Sequence, residues 1–262
     1  RADVAAMSER IDKNTIMIVG SAPQYPQGVI DDIPALAALA QRQNINCHVD
    51  ACMGGVSLAY LGKLGHQIPP WNLQIDGVTS ISVDLHKFGY TSKGASVIMY
   101  ADKRLRSYQG FFTDQWLGGV YASSGMLGTK SGGSMASAWA VMHFLGDDGY
   151  LRLTRQAREA TLQLASIIRN SPELVLRAEP ESTLLCFGAQ DPNSLNVFAV
   201  ADELSKSGWY VDRQTPPDSL HCTVNAIHHD KIEWFAKDLR NSVETVLSQR
   251  STGNVGAYGT VE

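Results

Sequence analysis

The sequence predicts an α/β protein in two parts, a mostly parallel sheet wrapped by helices and then a small C-terminal α+β domain. Three features predict it. Short β-branched runs alternate with helical patterns through the first half of the chain. Polar or Gly-containing turns at the ends of those runs carry Asp50, His86 and Lys87. A β-β-α-β-β-α order then follows residue 171.

In chain order, residues 3–11 read as a short helix and 15–19 as a buried strand, closed by Gly20-Ser21-Ala22-Pro23. Asp32 suits the N-cap of a helix over 34–43, where Ala and Leu recur at intervals of three and four. The strand 45–49 ends at Asp50, and a helical pattern over 56–64 follows. A loop rich in Pro and Trp (67–72) leads to a β-branched strand over 78–83. The turn with His86 and Lys87 comes next, and after Lys93-Gly94 another strand at 95–100.

From 114 to 133 the sequence turns loop-like and rich in Gly and Ser, DQWLGGVYASSGMLGTKSGG. So long a connection in a compact protein is functional or disordered. Thr129, Ser131 and the glycines there could offer N–H groups and hydroxyls to an anion; a flexible linker is the alternative. Residues 134–170 read as mainly helical, with a break at 146–149. Strands at 173–177 and 183–188, a helix at 195–206, strands at 209–212 and 220–225 and a helix at 230–248 complete the chain. The expected organisation is therefore 1–133, a linking pair of helices at 134–170, and a small domain at 171–262.

Composition narrows the function classes. A formal net charge of −4 over 262 residues provides no basic surface of the kind nucleic acid requires. No apolar run reaches the length of a membrane span, and RADVAAMSER is not a signal peptide. It opens mid-pattern without Met, as a fragment would. Cys47, Cys52, Cys186 and Cys222 lie singly in apolar contexts and read as reduced core thiols. His221, His228 and His229 do not read as a metal site: two are adjacent and diverge, and no carboxylate or Cys completes a set.

The chemistry is carried by two stretches. In VTSISVDLHKFGYTSKG, Lys87 stands at the mouth of a strand with His86 beside it and glycines nearby. Such an amine can form a Schiff base with an aldehyde cofactor, and such an imidazole can hydrogen-bond that cofactor's phosphate. Taken alone, Lys87 reads more readily as part of a solvated turn, so a second anchor is needed. In HVDACMGG, Asp50 ends a strand, where open α/β sheets place their ligands. A pyridoxal phosphate enzyme needs a carboxylate against the pyridine nitrogen. At about 4 Å such a pair contributes roughly 4 kcal/mol at an effective dielectric near 20. That equals about three pKa units, enough to keep a weakly basic ring nitrogen protonated near neutral pH.

These residues also carry a family resemblance. GSAPQYPQGVIDDI, HVDACMGG, SVDLHKFGYTSKG, GGVYASSGMLGTKSGG, PPDSLHCTVNAIHH and the tail STGNVGAYGT resemble the sphingosine-1-phosphate lyases, of the pyridoxal-phosphate decarboxylase group of fold-type I. The likeness covers essentially the whole chain. It implies that residues 1–133 are the C-terminal half of a cofactor-binding large domain. It implies pyridoxal 5'-phosphate as cofactor and a retro-aldol cleavage of a phosphorylated sphingoid base to a fatty aldehyde and phosphoethanolamine. Lys87 would hold the cofactor, Asp50 its ring nitrogen and His86 its phosphate, with Ser82 and Thr129 as further cofactor contacts.

The resemblance also places Lys93 near the substrate phosphate and Tyr121 where it could assist proton transfer. A surface lysine and a packed interface aromatic are the respective alternatives. Lys130 stands where the family usually shows Arg, which keeps the charge and loses bidentate geometry. The family's Gly-rich phosphate cradle and ring-stacking histidine do not occur before Asp50, so the isolated chain is expected to bind the cofactor poorly. A homodimer with its active site at the interface is implied. So is a cytoplasmic location in a bacterium, or the endoplasmic reticulum membrane with a cytosolic catalytic domain in a eukaryote. An amino-acid α-decarboxylase of the same group and a non-catalytic fragment are the other readings.

Overall fold

A computed structural model of the chain describes residues 1–253, in two compact units. The first comprises Arg1–Ala22, Ile30–Ala59 and Gln67–Gly146; the second comprises Pro23–Val29, Tyr60–His66 and the chain from Asp147 onward. Residues 254–260 of the tail motif lie outside the described residues.

The first unit is built on a four-stranded sheet in the order β1 (Met17–Ser21), β2 (Asn46–Asp50), β3 (Ser80–Asp84) and β4 (Ser96–Tyr100). β1, β2 and β3 run parallel, and β4 closes the edge antiparallel to β3. Alternation decides which face is dry. Ile18, Cys47, Val49, Ile81 and Val83 are buried, and Gly20 shares their face by register. A Cβ on Gly20 would lie 2.6 Å from Leu36 and 2.7 Å from Ile33, so α2 (Ile33–Gln43) packs directly on this face. Asp32 caps α2 as the sequence implies, accepting from the Ala35 N–H at 3.1 Å. The short α1 (Val4–Arg10) is capped by Asp3, and α3 (Ser57–Lys63) follows β2.

Two expectations for this unit need correction. The stretch read as one long loop begins as a hairpin, β5 (Phe111–Trp116) and β6 (Gly119–Ser123), with a register shift between Thr113 and Trp116. Its glycines form the turn between two aromatic-rich strands, where Gly119 takes a φ of +98°. A short helix not foreseen, α4 (Lys103–Ser107), is capped by Asp102.

α5 (Gly132–Arg169) belongs to the first unit up to Gly146 and to the second from Asp147, and is broken at Gly146, whose φ of +55° and ψ of −172° are not helical. The second unit holds an antiparallel sheet in the order β7 (Leu174–Leu176), β8 (Leu184–Ala189), β10 (Ser219–Thr223) and β9 (Asp212–Gln214). α6 (Val197–Lys206) and α7 (Ile232–Gln249) bury Phe198, Val200, Leu204, Phe235, Leu239 and Val243 in one core with Leu185, Phe187 and Leu220 of the sheet. The β-β-α-β-β-α order is present, and a 3-10 turn, Ala226–Lys231, precedes α7. β9 starts at Asp212, not at 209. Trp209 is drawn away from the sheet because its indole N–H donates to Asp238 at 2.7 Å and its ring meets Phe235 edge-on.

Candidate active site

α2 packs on one face of the first sheet; the other face mixes exposed Met17, Val19 and Ile98 with polar groups that gather toward the carboxyl ends of the parallel strands. Register pairs Ser21 with Asp50 and Asp50 with Ser82, so these three side chains share a face at the carboxyl end of the parallel strands. His48 and Ser80 precede them and Asp84 follows on the same side. Hydrogen bonds continue past the tips, from the Ala22 N–H to the Asp50 carbonyl at 2.8 Å and from the Ala51 N–H to the Ser82 carbonyl at 3.0 Å. Neighbouring strands lie roughly 4.8 Å apart and each residue advances about 3.3 Å. The Cα of Asp84 therefore stands about 8 Å from that of Asp50.

Asp84 gathers the turn that follows β3. Its Oδ2 receives the Lys87 Nζ at 2.9 Å and lies 3.7 Å from the His86 Nε2, while its Oδ1 accepts from the Ser96 hydroxyl. The carboxylate is only 13% exposed. Burial works to raise the Asp84 carboxyl, but the hydrogen bonds from Ser96 and Lys87 and the nearby charges of Lys87 and His86 outweigh it. The net result is an acid held below its usual range. The Ala95 carbonyl accepts from the His86 backbone N–H at 3.1 Å and from its Nδ1 at 2.9 Å. The carbonyl can only accept, so Nδ1 carries a proton in that bond. The turn is tight: a Cβ on Gly89 would lie 2.3 Å from the Leu85 carbonyl oxygen, and Tyr90 adopts a φ of +58°.

Around Asp50 the contacts are local. Its Oδ1 accepts from the Cys52 N–H at 3.0 Å. Burial, helped by the hydrogen bond and charge of Asp50 and the charge of Asp84, pushes the Cys52 thiol up to about 11. Cys52 is thus a neutral thiol, donating to the Ser82 hydroxyl at 3.4 Å. The His48 ring spans two hydroxyls of β3, with Ser80 at 2.8 Å and Ser82 at 3.2 Å. Burial lowers the His48 pKa against the pull of the Asp50 charge.

The other sequence-derived candidates sit on other segments. Lys93 is exposed, and its carbonyl accepts from the Ser134 hydroxyl at 3.3 Å. Tyr121 stands on β6, edge-on to Trp116 and tilted against Phe111. Thr129 and Lys130 are exposed in the segment before α5. Among the described residues no hydrogen bond or ion pair joins Lys93, Tyr121 or Thr129 to Lys87 or Asp50. Sequence reasoning missed Asp84, although it falls three residues before Lys87 and alternates with Ser80 and Ser82. Those two spacings were the available signal.

The donor set fits pyridoxal 5'-phosphate: an amine and a carboxylate reach one polar sheet face from adjacent strand tips, with imidazole and hydroxyl groups beside them. A helix-wrapped, mostly parallel sheet with a small antiparallel α+β unit belongs to the fold-type I class of pyridoxal-phosphate enzymes. The pyridoxal-dependent decarboxylase conserved domain matches residues 3–190, and the chain belongs to that family. It is 42% identical over 246 residues to the sphingosine-1-phosphate lyase of Arabidopsis thaliana, covering 94% of this chain and 45% of the relative. A sphingosine-1-phosphate lyase structure from Burkholderia pseudomallei K96243 superposes with a TM-score of 0.88 at 36% identity, over 95% of this chain and 57% of that one. The glutamate decarboxylase of Lactobacillus brevis shares the fold at a TM-score of 0.80 and 21% identity, over 94% of this chain and 58% of that one. The chain spans about half the length of the curated relatives it matches.

Proposed function

We propose that this chain carries part of the active site of a pyridoxal-phosphate-dependent carbon–carbon lyase. Its substrate would be a phosphorylated long-chain base, cleaved in retro-aldol fashion to a fatty aldehyde and phosphoethanolamine. The observation that carries this reading is the shared polar face of Asp50, Ser82 and the Asp84–Lys87 pair at adjacent strand tips, in a chain so similar to sphingosine-1-phosphate lyases. When bound, the cofactor supplies an electron sink for the pair released as the substrate's Cα–Cβ bond breaks.

This chain's own residues supply position and charge. The Lys87 amine is the attachment point, and Asp50 is the carboxylate set against the ring nitrogen. His86, Ser82 and Thr129 are the proposed polar contacts to the cofactor. Lys93 offers a cation to the substrate phosphate, and the Tyr121 hydroxyl assists transfer of the substrate's hydroxyl proton. In this reading residues 1–133 form the later half of the cofactor domain, 134–170 the linking helices and 171–262 the small domain. A homodimer with its active site at the interface accompanies it, and the exposed apolar residues of β5, β6 and the first part of α5 support that assembly. The location follows the source: cytoplasm in a bacterium, or the cytosolic side of the endoplasmic reticulum in a eukaryote. No helix among the described residues is long and apolar enough to cross a membrane.

The test is a paired assay of an enzyme in which this chain is joined to the rest of the active site, and of its Lys87→Ala variant, with a long-chain base phosphate in one arm and free amino acids in the other. Release of a long-chain aldehyde, lost at least a thousandfold in the variant, is the expected result. Carbon dioxide from an amino acid with no aldehyde from the phosphorylated base would replace the lyase with an amino-acid decarboxylase.

A further inference from the structure

We propose that Asp84 is the positioning residue for Lys87, anchoring its amine at the edge of the sheet where it meets an aldehyde. The proposal rests on the reading of Lys87 as the cofactor-bearing lysine and gives that residue a partner.

The geometry leaves the carboxylate little other use. Asp84 is the last residue of β3, so its side chain emerges on the face that also carries Ser82 and Asp50. Both of its oxygens are engaged, one by the Ser96 hydroxyl and the other by the Lys87 amine at 2.9 Å, with the His86 Nε2 at 3.7 Å. The Lys87 backbone N–H also donates to the Asp84 carbonyl at 3.3 Å, so side chain and main chain close the same turn. A lysine carries its charge on a flexible four-carbon stem, and without an anchor the amine would sample a wide volume. Ser96, from the antiparallel strand β4, fixes the anchor in turn.

Charge gathers here from every element packed on the turn. Asp84, His86 and Lys87 come from β3 and the turn itself, and β4 adds the Ser96 hydroxyl. Asp50 and Cys52 face it from the exit of β2, where the thiol feels both carboxylates. Ser96, Lys87 and His86 hold Asp84 in its ionised form. An ionised carboxylate in contact with an amine favours its protonated state. Reaction with an aldehyde requires the unprotonated amine: nitrogen adds to the carbonyl carbon, and the carbonyl oxygen leaves as water with the amine's two hydrogens.

The test is reductive alkylation of the chain by acetaldehyde and cyanoborohydride from about pH 6 to about pH 10, followed by peptide mass mapping. In Asp84→Asn the pH profile of modification at Lys87 should move to lower pH, with exposed Lys13 in the same digest unmoved. Asp84→Glu, which keeps the charge, should move it back toward wild type. An unchanged Lys87 profile in Asp84→Asn, or an equal displacement at Lys13, overturns the proposal. Should asparagine at 84 disturb the fold, the wild-type chain answers by NMR. The Lys87 Nζ signal should follow an acid titration, and a signal without that inflection overturns the proposal equally.

Pyridoxal phosphate in place of acetaldehyde separates the two readings. Label at Lys87 with no displacement in Asp84→Asn removes Asp84 and keeps the cofactor lysine. A displaced acetaldehyde profile with pyridoxal label elsewhere keeps the Asp84–Lys87 relation and removes the cofactor assignment.

Discussion

His221, within the second unit, shows how a single buried ring can set a pH limit. It is 1% exposed, its Nδ1 donates to the Pro26 carbonyl at 2.7 Å, and its Nε2 lies 2.9 Å from the Thr223 hydroxyl. Burial lowers its pKa; the Pro26 carbonyl and the Asp212 charge pull the other way and lose. With the folded value below the unfolded one, the unfolded chain takes up the proton first. Stability is therefore complete above the unfolded value of about 6.5 and declines as pH falls through it toward the folded value. His48, His66 and His228 are also shifted down, each chiefly by burial, and add to the same slope. His229, partly buried, is shifted up by its bond to Asp230 and opposes them. Thermal melts between about pH 7.5 and pH 5 should show a falling midpoint, and His221→Gln should flatten that dependence even if it lowers the whole curve. A slope identical to wild type in the variant would exclude His221 as a contributor. Sequence reading could say only that His221 was an unpromising metal ligand, because its partner at Pro26 lies 195 positions away.

Among the elements, β3 carries the consequence of one close approach. Gly55, in the segment leading into α3, faces Val83 so closely that a Cβ there would fall 2.4 Å and 2.5 Å from its two methyl carbons. Val83 immediately precedes Asp84, so any displacement of β3 is felt at the Asp84–Lys87 pair. Gly55→Ala should cost about 1–3 kcal/mol in denaturant unfolding, as overpacking of a close interface does. Val83→Ala should relieve part of that cost, so the double variant loses less than the two single changes added together. Strict additivity would mean the two sites do not meet. The strands around this contact were legible because β-branched runs bounded by turns have few other readings. The hairpin β5–β6 was not, since the glycines at 118 and 119 that make its turn were read as the mark of a loop. β9 was misplaced for a different reason: the aromatic run at 209–211 looks like strand, yet Trp209 is held by Asp238 and Phe235, contacts no local pattern announces.

For the molecule as a whole, alternation and order were readable, whereas membership of the compact units was not. Pro23–Val29 clusters with the later part of the chain because the Gly28 carbonyl accepts from the Glu181 N–H and the Ser182 hydroxyl, both at 3.2 Å. Pairings across some 150 residues leave no trace in composition or periodicity. Surface character is the other whole-molecule property that periodicity understated. Met135, Trp139 and Met142 recur at helical spacing on the first part of α5 and are 60%, 66% and 48% exposed. Phe112, Trp116 and Leu117 of the hairpin segment are more than half exposed as well. Apolar side chains scattered singly are ordinary, but a helical stripe accompanied by an aromatic hairpin marks an interaction surface. The proposed homodimer gives that surface an occupant in a second copy. Sedimentation should then show reversible self-association, and Trp139→Glu combined with Met142→Glu should weaken it at least tenfold, about 1.4 kcal/mol, with the far-ultraviolet dichroism unchanged. The charge change acts on the stripe and leaves Asp84, His86 and Lys87 untouched, so acetaldehyde modification of Lys87 should keep its wild-type pH profile. A wild-type chain that stays monomeric at about 100 μM, where even an association of 4–5 kcal/mol starts to show, would remove the dimer from the proposal while leaving the strand-tip site in place.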